Sequence, residues 1–180
     1  MTTIVDAYGK PQYAISGDNK TISLSTPEGY MAVEDPPSMN MRYVKNTWIE
    51  LPSQPSLHHI FDYKIGQWID PRSLDEIKAQ KWAEIKSQRD QIEFGGFEFE
   101  GNIYDSNQVS QGRIMGASSS GIDQTWTLAD NTKAELSASQ LQQLYATLQA
   151  HIASVHERGR IARQLIFDAE TKEQAESVQL

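Results

Sequence analysis

The chain changes its pattern of apolar and polar positions near Pro71. Ahead of that point, short apolar runs recur at residues 13–15, 21–25, 30–33, 42–44, 47–51, 60–63 and 67–69. Gly17-Asp18-Asn19, Pro27-Glu28-Gly29 and Lys45-Asn46 punctuate them with turn-forming residues, so the runs predict strands. Two stretches look alike. Arg42-Tyr43-Val44 leads through Lys45-Asn46 to Trp48-Ile49-Glu50 and Pro52, and Phe61-Asp62-Tyr63 leads through Lys64-Ile65-Gly66 to Trp68-Ile69-Asp70 and Pro71. Each predicts a hairpin with a Trp facing a Tyr across the strands. Asp35-Pro36-Pro37 and Pro52-Ser53-Gln54-Pro55 predict extended connectors, because proline and the residue before it disfavour helix.

After Pro71 the period turns helical. Ser73 and Glu76 have capping-box spacing, followed by Leu74, Ile77, Trp82, Ile85 and Ile92 on one broad face, and Gly95-Gly96 ends the helix. Phe97 and Phe99 alternate with Glu98 and Glu100, which predicts a half-buried strand turning back at Glu100-Gly101-Asn102 into Ile103-Tyr104. Asp105 and Ser106 suit the start of a short helix with Val109, Ile114 and Met115, ended by the serines before Gly121. A second hairpin follows at residues 125–128 and 133–136. Ser137 and Gln140 then cap a long helix over 138–169, roughly 48 Å at 1.5 Å per residue. Gly159 inside it suggests a bend, and Thr171 with Gln174 suits a last turn. The predicted class is α+β. An N-terminal β-hairpin module covers residues 1–72 and a linking helix 73–94. A C-terminal domain over 95–180 holds two hairpins and helices, the last of them long.

Composition narrows the function classes. The chain has 180 residues, 38% of them hydrophobic, and a net charge of −8. That length can bury a core without staples. Acids outnumber bases on both sides of Pro71, so no basic groove for nucleic acid is expected. The absence of Cys removes disulfides, thiol catalysis and thiolate metal sites. No apolar run approaches the ~20 residues of a membrane helix, and the first ten residues lack the basic start and apolar stretch of a signal peptide.

Candidate chemistry is sparse. His58 and His59 are adjacent in a Pro-flanked connector, and His151 and His156 lie five apart, off the spacing that shares a helix face. His156-Glu157 starts like a zinc-protease motif, but Arg160 stands where the second His belongs. Glu98 and Glu100 share a strand face that is expected to be solvated. No nucleophile elbow or phosphate loop occurs, and the Gly- and Ser-rich stretch 112–121 reads as a loose helix end. Gly112 and Gly116, four apart, suggest close approach of another element. Arg158, Arg160 and Arg163 read as a solvated face. No catalytic residue, metal ligand or cofactor is assigned. The stripe Leu141, Leu144, Leu148, Ile152, Val155 and Leu165 is the candidate protein interface, suited to docking on the hairpins of the same chain or on a partner. His151 and Arg158 interrupt its heptad, so it makes a poor coiled coil. Trp48, Trp68 and Tyr63 could stack on sugars, but as hairpin aromatics they read as core.

A family resemblance extends this picture. The order Arg89, Ile92-Glu93, Gly95-Gly96-Phe97, Phe99, Gly101, Asp105-Ser106, Gln111, Arg113-Ile114, Trp126-Thr127, Asp130-Asn131-Thr132, Leu136, Gln140-Leu141, His151, His156-Glu157-Arg158 resembles an uncharacterised C-terminal domain that recurs in tailed-bacteriophage tail proteins. The resemblance spans about residues 89–178, and Gly159 departs from it where Ala is more usual. It implies a non-enzymatic tail component in the virion, made in the bacterial host cytoplasm, with tail-fibre or baseplate proteins as partners and homo-oligomers in scope. Nucleic acid and membrane are not expected among the partners. The alternative it implies is a tail-fibre assembly chaperone absent from the mature particle. The family carries no catalytic residues to transfer.

Overall fold

A computed structural model describes every residue from Met1 to Leu180. The architecture is α+β, built from small antiparallel hairpins and a long C-terminal helix. The chain divides into two compact units, Met1–Arg72 and Ser73–Leu180.

The first unit holds a three-stranded sheet and two hairpins. Strands β1 (Thr2–Val5), β2 (Pro11–Ile15) and β3 (Met31–Glu34) pair antiparallel in the order β2-β1-β3, with helix α1 (Asn19–Ser25) between β2 and β3. Two expectations are corrected here. Residues 21–25 are helical rather than extended, because the Asp18 carboxylate accepts from the Thr21 backbone N–H and caps a helix start. The central strand β1 was not foreseen, since its four residues precede any turn signal. The turn after β1 sits tightly on the next hairpin: the Tyr43 N–H donates to the Gly9 carbonyl at 2.9 Å. Gly9 is left-handed (φ 77°), and a Cβ there would lie 1.9 Å from the Tyr43 oxygen, so only glycine fits.

The two look-alike stretches form β4 (Met41–Val44) with β5 (Thr47–Glu50), and β6 (Ile60–Asp62) with β7 (Gln67–Ile69). Lys45 and Asn46 both have positive φ, which is the primed two-residue turn that matches strand twist. Tyr43 faces Trp48 edge-on at 5.2 Å, as the pattern predicts. In the second hairpin the partner of Trp68 is Phe61 rather than Tyr63, because a four-residue loop replaces the two-residue turn and shifts the register. The indoles behave alike: Trp48 Nε1 donates to the Glu34 carbonyl and Trp68 Nε1 to the Pro52 carbonyl, each at 2.9 Å. The first hairpin is thus tied to the end of β3 and the second to the connector that precedes it.

The second unit is organised by three helices. Helix α2 (Leu74–Phe94) is capped by the Ser73–Glu76 box, and α4 (Ala138–Asp168) by the Ser137–Gln140 box. They run antiparallel, since Ile85 packs with Ala162 and Ile166, while Glu93 meets His156. The helix expected as a link between halves is therefore part of the second unit. Its Ile77 and Ile85 are buried against α4 and against α5 (Lys172–Glu176) with the residues that follow it. Strands β8 (Phe97–Phe99) and β9 (Asn102–Tyr104) and helix α3 (Gln108–Ser118) follow α2, then β10 (Gln124–Thr127) and β11 (Lys133–Leu136). Phe97, Phe99, Tyr104, Ile114, Leu128 and Leu136 close one core over the first turns of α4. The α3 cap is Asn107, whose side chain accepts from the Val109 and Ser110 N–H groups. Ser106, expected at that cap, is wholly buried and instead bridges the end of α2: its hydroxyl accepts from the Gly96 N–H at 2.9 Å and donates to the Glu93 carbonyl at 2.5 Å. Gly159 lies within continuous helix, not at a break, and a Cβ added there would meet the Arg89 side chain at 3.4 Å.

Two predictions follow from this core. Ser106→Ala strips a buried N–H and a carbonyl of their partner and should cost about 1–3 kcal/mol in urea unfolding of the full chain. The Tyr104 hydroxyl is buried without a hydrogen-bond partner, and its ionisation is pushed above the ordinary tyrosine range by burial first and by the Glu100 charge second. The folded state therefore holds that proton more firmly than the unfolded chain. Its contribution is complete below pH ~10 and is lost as pH rises through the elevated folded value. Tyr104→Phe should flatten that alkaline loss and leave stability at neutral pH unchanged or higher, read from urea midpoints across pH.

Candidate interaction sites

The predicted interface stripe is mostly the second unit's own core. Leu141, Leu144 and Leu148 are fully buried among Phe97, Tyr104 and Ile114, and Ile152 is half-buried against the same cluster. Val155 is buried as well. These five are corrected from interface to core, because the hairpins and α3 cover the stripe from within the chain. Leu165 is the exception at 53% exposed. The buried line continues through Gly159, Ala162 and Ile166, so Leu165 falls beside it, near an exposed Ile161. Phe167 is also exposed, while its backbone carbonyl accepts from Lys78 Nζ.

The two helix histidines converge on one place, though not on a metal. His151 Nε2 donates to the Ile92 carbonyl at 3.0 Å, and its ring stacks on Phe97. His156 Nε2 lies 2.9 Å from a Glu93 carboxylate oxygen. Together with Ser106 they bind the last turn of α2, where carbonyls lack helical partners and favour donors and positive charge. Nowhere do three or more His, Cys, Asp or Glu side chains form a group that could hold a metal ion. His59 Nδ1 lies 2.8 Å from the Ser56 hydroxyl. Of the arginine cluster, Arg163 lies over the Trp82 ring at 5.5 Å and Arg160 pairs with Glu157. Glu98 is exposed on β8, and Glu100 lies in the turn, where it accepts from Gln140 Nε2. Gly112 and Gly116 face open space, so the close approach suggested for them does not occur. No helix is long and apolar enough to cross a membrane.

The first unit presents a different surface. Ile4 and Val5 are its only buried hydrophobic side chains. Tyr43, Trp48, Phe61 and Trp68 are half-buried, whereas Tyr8, Tyr13, Ile49, Ile60, Ile65 and Leu57 stay exposed. A cleft of about 340 Å³ opens between the β1–β2 turn, the β4–β5 hairpin and the loop after β6. Arg42, Lys45 and Lys64 line it together with Tyr8, Tyr43 and Tyr63. Sequence reasoning missed this grouping. Its only linear trace is the pairing of cations with tyrosines in Arg42-Tyr43 and Tyr63-Lys64, and three separate segments must meet before it exists. Burial first, and the charge of Asp6 second, push the Tyr63 phenol above its ordinary range, so it remains a neutral donor at physiological pH.

Residues 76–179 match a family described as a domain of unknown function, DUF4376, which is more than half of the chain. The match begins in the first turn of α2 and takes in nearly all of the second unit and none of the first. No curated protein and no solved structure matches the chain.

The burial pattern separates two substitutions on the same helix. Leu148→Asp places a charge in a closed core and should cost more than about 4 kcal/mol, enough to unfold the second unit. Leu165→Asp should change stability by less than about 0.5 kcal/mol. Circular dichroism and urea unfolding of the two full-length variants check the contrast.

Proposed function

The chain belongs to the DUF4376 family, and from that premise we propose that it is a non-enzymatic structural or adaptor component of a bacteriophage tail. In this reading it joins a tail fibre or baseplate through its N-terminal unit and resides in the virion. The phage assignment draws on the resemblance of residues 89–178 to the C-terminal domain of tail proteins. The observation that carries the adaptor role is the contrast in burial. The second unit closes its own cores, whereas the first leaves aromatic and aliphatic side chains of three small β elements uncovered. Two-stranded hairpins are marginal in isolation, and exposed apolar groups on them favour a larger assembly. The remaining large exposed apolar residues on α4, Ile161, Leu165 and Phe167, are where a second copy of the C-terminal unit would meet it.

Quantitative mass spectrometry of purified particles tests the reading. A fixed, low-integer ratio to a fibre or baseplate protein is expected, and Ile49→Asp with Ile60→Asp should lower incorporation about tenfold, equivalent to about 1.4 kcal/mol of contact energy, with the far-ultraviolet spectrum unchanged. Abundance in infected cells with absence from particles would overturn the structural role and leave the fibre chaperone.

A further inference from the structure

We propose that the cleft in the N-terminal unit binds a small ring-bearing carboxylate, of the chemical class of the hexuronic acids. The first argument is charge. Arg42, Lys45 and Lys64 line the cleft and no Asp or Glu does, although the chain as a whole carries a net charge of −8. None of the three cations forms an ion pair. Two acids, Asp6 and Asp62, sit one residue from the lining, and their carboxylates are turned to nearby donors: Asp6 accepts from the Tyr8 and Lys10 N–H groups and from Gln12 Nε2, and Asp62 from the Lys64 and Ile65 N–H groups.

The second argument is preorganisation. The Arg42 guanidinium is held over the Phe61 ring at 5.5 Å, and its Nε is buried with no acceptor. A Cβ at Gly66 would come within 2.4 Å of its terminal nitrogen, so the absence of a side chain there leaves the guanidinium its place. A planar fork fixed in this way loses little freedom on meeting a carboxylate, and two flexible lysines beside it add long-range attraction. The close seat of Gly9 on Tyr43 fixes the β1–β2 turn against β4.

The third argument is shape and surface. A volume of about 340 Å³ is at the small end of ligand pockets, which run from roughly 300 Å³ upward. It suits a monosaccharide rather than a chain segment. Of the three tyrosines that line it, Tyr43 packs against Trp48, and Tyr63 against Phe61 with Lys10 Nζ 6.0 Å over its ring, so the exposed Tyr8 offers the aromatic face for the C–H side of a sugar ring, and the Asn46 side chain adds a donor and an acceptor. A bare oxyanion would use the cations and leave these groups idle. The inference does not rest on the assembly role, which draws on exposed apolar side chains of the first unit, whereas the cleft draws on its cations and tyrosines.

Titration of the full-length, ¹⁵N-labelled protein with glucuronate, glucose and inorganic phosphate tests it. Saturable shifts are expected at the Gly9, Tyr43, Asn46 and Lys64 amides with millimolar glucuronate, none with glucose, and binding of phosphate at least about tenfold weaker. Arg42 packs on Phe61, so the variant of choice is Lys45→Asn with Lys64→Gln. Both positions are exposed, and asparagine accepts the left-handed backbone at position 45. That variant should weaken glucuronate binding about tenfold with the spectrum otherwise unchanged. No saturable shift with glucuronate, or a response the double variant leaves intact, would overturn the site. An equal response to phosphate would overturn the ring-bearing class of ligand.

Discussion

One helix has to serve two cores, and the second unit depends on how α4 does so. Its buried line runs from Leu141 to Ile166, interrupted only where His151 and Ile152 are half-buried. The first part is covered by the β8–β9 and β10–β11 hairpins with α3, and the last part by α2, α5 and Val178. Between the two lies a stretch where large apolar partners give way to polar ones. There the aliphatic stem of Arg89 passes Gly159 with room for a Cβ, which would meet it at 3.4 Å, an ordinary van der Waals distance. Just before it, His151 and His156 reach the final turn of α2. The end of α2 is thus both a helix terminus with unpaired carbonyls and the joint between two cores. Capping it from Ser106 and His151 satisfies the backbone, and these contacts together with the His156–Glu93 pair fix the register of α4.

The first unit lacks any such organising element. Its strands are three to five residues long, its one helix buries nothing, and its cross-links are single contacts: Tyr43 to the Gly9 carbonyl, Trp48 to Glu34, Trp68 to Pro52, Thr3 to Asp35. These are mostly backbone-directed bonds at half-exposed positions, where water competes and each contributes about 1 kcal/mol or less. Such a unit holds its shape by register and turn chemistry rather than by burial. That is why its apolar side chains remain available, and why clefts form between hairpins that do not close over one another.

The periodic elements were legible in the sequence and the sparse ones were not. The capping boxes at Ser73 and Ser137 marked the starts of α2 and α4 because the side-chain requirement is local and specific. Phe97, Phe99 and their alternating glutamates gave away β8 for the same reason. Asp18 and Ser106 misled because one residue type serves several ends: a cap reads as a turn, and a buried bridge reads as a cap. The interface stripe shows the deeper limit. Periodicity states which face of α4 is apolar, but whether a face meets its own chain or another depends on what α3 and the hairpins cover. No local pattern encodes that.

The candidate sites lay furthest from the sequence because they are products of turn geometry. Lys45 and Asn46 were recognised as a turn, which is true of their backbone, and the same positive φ values set where their side chains stand relative to Arg42 and Tyr43. The four-residue loop that moves Tyr63 out of register with Trp68 is what frees it to line the cleft with Lys64. A shorter turn, like that of the first hairpin, would have returned Tyr63 to a strand pair and taken away one wall. The difference between the two similar hairpins, which looks like imperfect repetition in the sequence, is therefore what makes room for the cleft.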